Sequence, residues 1–447
     1  MFKFIPNDIP LPLPMGGLES VLVPVFHALL VLTFVIHIGF INVLIGASFG
    51  SVWFNLLGVI KGNKTYDRVA YLLTTPVTIS ENMGALWGVA PLLIVSVMFT
   101  AFWYSSVVML SPQILHIIYG NIVAFLLSYL YKFTWEKLRD RKGLHLSFGV
   151  LSVLIFFSLP FVFMTAVQVY ITPGTWKLDM GYWDALFRAD VFFRLAHFFL
   201  ASFAVTGIFM MFYGAAKKRT AEDAEAGEVL VRTGTSWFMV TTGLNLFVGL
   251  LTFFQFPAYG IEAFYSSGYH LVLAVGVLTA MGAAGLVVKE LFFDGTPNRR
   301  TNLAIVALMT VTIFSMATSR HGMRLALLKP AMAQMKEKTD QYQARVKAAK
   351  ESLAASALLA KAATGAPSQG MALAAKYGCL ACHAVDHKVV GPAYRDVAAK
   401  GYTVERIIGL VHKPEPQNWP GYGAMPAMTA VTDEDGRVLA EWINAAR

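Results

Sequence analysis

Charge is what this sequence has least of. Asp, Glu, Lys and Arg make up 14% of its 447 residues, where a soluble globular chain carries about 25%. Cysteine is scarcer still, at two residues, which excludes a disulfide scaffold. No internal repeat is visible. What fills the space is apolar: 56% of residues are hydrophobic and 13% aromatic, the composition of a chain that lives in a membrane. The net charge of +9 does not indicate a nucleic-acid partner. Its Lys and Arg residues fall in short loops between apolar runs and form no single basic face. Met1 to Gly17 holds one Lys, four prolines and no small-residue cleavage site, so a removable signal peptide is not expected.

Eight apolar runs are long enough to cross a bilayer, at 20–46, 69–103, 114–137, 145–171, 188–214, 234–254, 268–289 and 301–319; a span takes roughly 20 residues. The second is overlong and contains Pro76 and Pro91, which predicts a kinked helix with a re-entrant or interfacial tail. Positive charge alternates from loop to loop. One set carries Lys61, Lys64 and Arg68, then Lys132 to Lys142, then Lys217, Lys218, Arg219 and Arg232, then Lys289, Arg299 and Arg300. The other set carries little. The positive-inside rule therefore predicts both termini on the extracytoplasmic side.

Beyond the eighth span, Ala331 to Ala363 is rich in Ala, Lys, Glu and Gln, which predicts a solvated helical spacer begun after Pro330 and ended near Gly365. The expected organisation is a transmembrane bundle over 1–325, a helical linker over 326–368 and a small soluble domain over 369–447. That last domain holds both cysteines, in Gly378-Cys379-Leu380-Ala381-Cys382-His383. Cys-Xaa-Xaa-Cys-His is the attachment signature of a c-type haem, with two thioether-forming thiols and a His for the iron. A redox disulfide or half a zinc site requires no following His. Met425, on the Pro-bounded loop Gly423–Met428, is the expected sixth ligand, with Met428 as the alternative; His/Met ligation raises the potential. His387 and His412 are expected at the surface. The domain resembles a class I monohaem cytochrome c over its whole length, and its motif implies attachment on the extracytoplasmic side, where the charge pattern also puts it.

Seven histidines remain. His27, His116, His197, His270 and His321 fall in the outer third of five different spans. Each alone reads as a helix-to-helix hydrogen bond. Five at one depth, where ionisable groups are rare, predict axial ligands of b-type haems, since bundles build cofactor sites from facing helices. Arg194, Arg320 and Arg324 lie at the same level with the charge that propionates require. His37 and His145 lie at other depths and are expected to be structural. Glu81 and Asn82 sit mid-span, where a carboxylate costs about 2.5–3.5 kcal/mol. Glu81 is a candidate for a proton path, with a structural hydrogen bond as the alternative.

The membrane part resembles subunit I of the cytochrome bd quinol oxidases. The residues that carry the likeness are Phe193-Arg194-Leu195-Ala196-His197 with Val205-Thr206-Gly207, Val25-Phe26-His27, and the run from His116 to Trp135-Glu136-Lys137-Leu138, within residues 15–325. The resemblance implies a haem-binding helix bundle, here with eight spans where the family has nine, a low-spin b haem on His197 and an active-site haem on His27. It also implies a second, haem-poor membrane subunit. The departures are His116 and Ala124 where the family has Glu, His270 where it has Met, Ala317 near a further Glu position with His321 a turn on, and a quinol loop reduced to Gln255–Gly268. The expected protein is all-α, a bd-like bundle fused to a cytochrome c, with one covalent haem c and two or three b-type haems. It would sit in the bacterial inner membrane with the haem c domain periplasmic. Its expected role is a respiratory haem oxidoreductase that takes electrons from a periplasmic cytochrome c and reduces oxygen or another small oxidant. The alternatives are an electron-relay subunit of a larger complex and a redox sensor.

Overall fold

A computed structural model of the chain describes residues 19–177, 179–290, 299–363 and 369–446. The expectations about Met1–Gly17 and about a helix stop near Gly365 lie outside them. Among the described residues all regular structure is helical, and the chain divides into two compact units, Met1–Asp340 and Gln341–Arg447.

Eight helices of the first unit are long and apolar enough to cross a membrane. They are α1 (Glu19–Lys61), α2 (Lys64–Met98), α4 (Leu115–Phe133), α5 (Lys142–Ile171), α7 (Ala189–Lys217), α8 (Ala224–Phe254), α10 (Tyr269–Lys289) and α11 (Arg299–Ala363). Short α3 (Thr100–Met109), α6 (Tyr182–Leu186) and α9 (Ala258–Ser266) connect them at one end. The outward face is apolar, as lipid requires: Val240, Leu244, Phe247, Leu250 and Phe254 of α8 are all exposed.

The α1–α2 turn shows how the hairpins close. Gly62 takes φ +62°, a left-handed conformation that favours glycine, and Asn63 then caps α2 by accepting from the backbone N–H of Thr65 (2.8 Å) and Tyr66 (3.3 Å). Helices α7 and α8 approach through reciprocal glycines. A Cβ on Gly207 would stand 2.6 Å from Gly234 O, and one on Gly234 2.5 Å from Gly207 O. Where lipid removes the hydrophobic drive between helices, such backbone contact supplies the attraction.

The expected kink in the second span takes a different form. Pro76 and Pro91 both lie inside α2, and the helix instead breaks at Phe99 (φ −123°, ψ 35°) before α3. At Pro76 the carbonyl left without its helical donor is that of Leu72, and the Tyr213 hydroxyl donates to it at 3.2 Å.

Pro330 likewise does not begin a new helix; it lies within α11. A proline there costs about 3 kcal/mol, and the surrounding burial offsets it. Leu327, Leu328 and Ala331 are each under 10% exposed and pack with Phe264, Tyr170 and Met323. The start of the expected solvated spacer is therefore core.

The connections on the Lys/Arg-rich side form an ion-pair network. Arg68 donates to Asp223 (2.6 Å), Lys217 lies 3.3 Å from the same carboxylate, Arg68 also meets Glu222 (2.7 Å), and Lys142 pairs with Asp67 (2.9 Å).

In the second unit α12 (Gln369–Lys376), α13 (Tyr394–Ala399), α14 (Val404–His412) and α15 (Asp433–Ala445) surround a core of Tyr394, Ile407, Ala440 and Ile443 and a smaller one of Ala374, Val431 and Leu439. Thr432 caps α15 by accepting from Asp435 N (3.2 Å), and the acids of its first turn suit the helix dipole.

Candidate haem sites

The second unit holds a cavity of about 190 Å³ lined by Cys379, Cys382, His383, Met425 and Met428. Gly378, at φ +72°, turns the chain from α12 into the one-turn helix Cys379–Ala381, which presents both sulfurs half-buried. His383 Nδ1 donates to Pro392 O at 2.8 Å. A carbonyl only accepts, so Nε2 keeps its lone pair, the arrangement of a metal-binding imidazole held by its other nitrogen. Gly391 is required here: a Cβ would stand 2.4 Å from His383 Cε1. The Tyr394 ring stacks on His383 at 5.3 Å, and burial pushes the Cys379 thiol and the Tyr394 hydroxyl above their ordinary ranges. Met428 packs against Ala374, Val431 and Leu439, whereas Met425 lines the cavity without joining either core cluster. The donor set and the apolar walls fit a covalent haem. His387 is exposed, as expected; His412 is half-buried and donates to Val431 O (2.7 Å), because it ends α14 facing the core.

In the membrane unit the five outer histidines divide. His27 of α1 and His321 of α11 meet, with Nδ1 and Nε2 2.7 Å apart. Arg324 Nη1 donates to His321 Nδ1 at 2.8 Å. A guanidinium only donates, so a neutral His321 carries its proton on Nε2 and gives it to His27. Both nitrogens of His321 are thus engaged. In this arrangement it is the hydrogen-bonding partner of His27.

His197 lies on the wall of a cavity of about 750 Å³, with Arg194, Asn42, Met316 and Arg320 among the lining residues. Its Nδ1 is buried without a partner. Gly249 of α8 leaves room for the ring, since a Cβ there would sit 3.2 Å from His197 Cε1. His270 Nδ1 is also buried and unpartnered, and its ring lies 4.8 Å from that of Tyr265, a cavity residue; His270 itself is not on the cavity wall. Met309, Met316 and Met323 are on it. Sequence reasoning missed these thioether donors, because a Met at helical spacing looks like core.

His116 is not brought into this group. It continues the α4 stripe of Gly120, Ala124 and Ser128 that packs on α5, and is exposed there, donating to Ser158 Oγ at 2.7 Å. His37 donates to Gly84 O (2.8 Å) and His145 to Tyr131 O (2.8 Å), the helix-to-helix bonds expected of them.

The three arginines lie against aromatic faces, Arg324 buried and Arg194 and Arg320 half-buried. Arg194 lies over Phe256 (5.8 Å), Arg320 over Phe34 (4.5 Å), and Arg324 over Phe99 (5.7 Å) and Tyr170 (5.9 Å). Among the described residues none of the three has an acid within 4 Å. The Tyr170 hydroxyl, 1% exposed as a residue, has no partner either; nothing in the sequence distinguishes it from other aromatics. Cations without a nearby acid, an imidazole with an unpartnered Nδ1 and a large apolar cavity together suit a flat, apolar, carboxylate-bearing group. Glu81 of α2 is 2% exposed and accepts from Ser128 Oγ at 2.6 Å, with Oε1 unpartnered. Asn82 faces outward and donates to Tyr129 Oη (2.8 Å).

Fold and site thus define a multi-pass helical membrane protein that carries a haem c unit. No family model matches the chain. It is 46% identical over 69 residues to cytochrome c-551 of Pseudomonas denitrificans, covering 14% of this chain and 82% of that protein. It is 40% identical over 88 residues to cytochrome c-551 of Allochromatium vinosum, covering 18% and 93%. The bd oxidase of Geobacillus thermodenitrificans has a similar structure, with a TM-score of 0.56 at 13% identity over 70% of this chain and 89% of that one. Through its haem c unit the chain belongs to the cytochrome c-551/c-552 family, here joined to a membrane bundle of bd-oxidase fold. It is a membrane haem electron-transfer protein.

Proposed function

We propose that the chain is a respiratory oxidoreductase that passes electrons between the haem c at Cys379, Cys382, His383 and Met425 and b-type haems in the membrane unit, and reduces oxygen or another small oxidant there. The observation that carries this reading is the cavity of about 750 Å³ with an unpartnered His197 Nδ1 and half-buried, acid-free Arg194 and Arg320 on its wall. A haem bound there supplies the one-electron chemistry. The protein's own part is to ligate through His197, with His270 or Met316 as the second donor, and to balance propionate charge through Arg194, Arg320 and Arg324.

At the other site His27 is the ligand. Coordination through its Nε2 requires Nδ1 to donate, which reverses the His321 tautomer and frees an Arg324 N–H for an anion. Ser158 holds His116, so His27 is the imidazole that would hold a haem there, and such a haem would supply the chemistry for reducing a small oxidant. Basic loops on one side and the haem c unit at the C-terminus support the bacterial inner membrane with that unit periplasmic. The short link between α8 and α10 favours a soluble cytochrome c over quinol as donor, beside a second membrane subunit.

A pyridine haemochrome count on the full chain tests the proposal, combined with a CO difference spectrum of the reduced protein. Expected are one c haem, at least two b haems and a CO-induced shift. A single c haem per chain overturns the reading. Two or more b haems without a CO shift leave an electron relay in place of a terminal reductase.

A further inference from the structure

The segment that carries Met425 is a strap hung between two anchors. Among the described residues, no backbone hydrogen bond holds 423–427. At the far end Met428 N donates to Val411 O (3.0 Å), and the Met428 side chain packs in the smaller core. The near end is different, since no residue of 414–423 belongs to either core cluster. It runs Gly421-Tyr422-Gly423, with Gly421 at φ +87°, and a glycine on each side of the tyrosine leaves the backbone loose. The place of Met425 therefore depends on what holds 415–422.

Cations from three separate elements hold it. Arg406 of α14 forks onto Glu415 (2.9 and 2.6 Å), and Asn418 Nδ2 donates to the same carboxylate (2.9 Å). Lys400, at the end of α13, lies 4.4 Å over the Trp419 ring and donates to Asn418 O (2.8 Å). Lys388 lies 4.2 Å over the Tyr422 ring and donates to Gly421 O (3.4 Å). The two rings meet edge to face at 5.7 Å. Lys388 belongs to the loop that runs on to Gly391, which donates to Cys382 O (2.7 Å), and to Pro392, which accepts from His383. It thus joins the His383 side of the cavity to the Met425 side. An ammonium suits this post because it is drawn to a ring face and still has hydrogens to give a carbonyl. Among the described residues neither lysine pairs with an acid, so the strap is their partner.

We propose that Lys388 and Lys400 are positioning residues for Met425: they hold the strap so that the thioether stays on the haem c iron and external ligands are kept off it. The inference rests on the reading of Met425 as the sixth ligand. The test is an imidazole titration of the oxidised full-length protein with its haems. The signal is the near-infrared magnetic circular dichroism band of a His/Met ferric haem, which imidazole abolishes. Lys388→Met keeps the stem and removes the ammonium. Imidazole affinity at haem c should rise roughly 3-fold, and roughly 10-fold when Lys400→Met is added. Lys388→Arg with Lys400→Arg should keep the wild-type affinity, because a guanidinium also lies over a ring and donates. Lys413→Met takes a charge from the same stretch without an aromatic contact, and should leave the affinity unchanged. Wild-type affinity in the double Met variant, whatever its melting temperature, overturns the proposal, as does an equal rise in Lys413→Met. Met425→Ala tests the premise separately. A band that survives there removes the ligand reading and the proposal with it; a band lost there, with the double Met variant unchanged, removes the positioning role alone.

Discussion

The two sides of the membrane bundle treat positive charge in opposite ways. On the side of the α1–α2 turn the cations have acids: Arg68 and Lys217 share Asp223, Lys142 holds Asp67, and Lys218 and Arg232 share Glu228. On the histidine side Arg194, Arg320 and Arg324 face only rings and one imidazole. Buried charge without a partner is strongly destabilising. The first side balances its own charge, and the second leaves three cations for the propionates of the haem proposed there. Coulomb balance thus separates a structural network from a ligand site without any motif.

The sharpest break comes from removing the unbalanced cations. Arg320→Gln combined with Arg324→Gln deletes two donors to charged groups, each worth roughly 1.5–3 kcal/mol. Retention of b-type haem on dilution should fall roughly 100-fold or more, while haem c content stays unchanged. Equal retention would remove the anion-site side of the comparison.

Asp223→Asn tests the other side and should do the reverse, leaving haem content intact and lowering thermal stability. The cost is expected near 3 kcal/mol, at the low end for a broken buried pair. The carboxylate is 6% exposed, but Arg68 and Lys217 are 34% and 31% exposed and partly screened. Burial alone would raise the Asp223 pKa; the bonds from Arg68 and Lys217 outweigh it and hold it below the usual range. The contribution of Asp223 is therefore full above the unfolded carboxylate pKa of about 3.9 and is lost as pH falls through the lower folded value. Acid melts of wild type and Asp223→Asn should converge there.

Gly249→Ala is a finer probe. Its Cβ would press on His197 Cε1 from 3.2 Å, a contact relieved by a shift of a few tenths of an ångström. The expected outcome is an altered low-spin b-haem spectrum with normal folding; an unchanged spectrum would remove His197 from the ligand set. The smallest effect should be that of Tyr170→Phe, whose sign carries the information. Deleting a buried hydroxyl that bonds an anion costs about 1 kcal/mol and weakens haem retention accordingly. A melting temperature that rises instead would mark the hydroxyl as an orphan.

The two units were unequally legible. The haem c site is spread over a few dozen residues, with both thiols and the first ligand inside Cys379–His383, so its chemistry is written in sequence spacing. His412 still escaped, because whether the end of α14 faces core or solvent depends on α15 and the Val431 strap. In the membrane unit the eight spans and the depth of each histidine followed from hydropathy. Which histidines meet did not. His27 finds His321 across 294 positions, while His116, at the same expected level, turns to Ser158. The α2 break at Phe99 and the passage of α11 through Pro330 were invisible for a related reason. Tyr213 satisfies the carbonyl that Pro76 leaves free, and Leu327 and Leu328 bury the turn before Pro330.

Apolar run length and charge alternation are properties of short segments, since a span must satisfy its backbone within itself and a loop's charge acts locally. The number of spans and the haem c motif were therefore settled by the order of residues alone. Rotation of each helix about its axis is set by its neighbours. The pairing of His27 with His321 and the acid-free setting of three arginines come into existence only when helices far apart in sequence pack together.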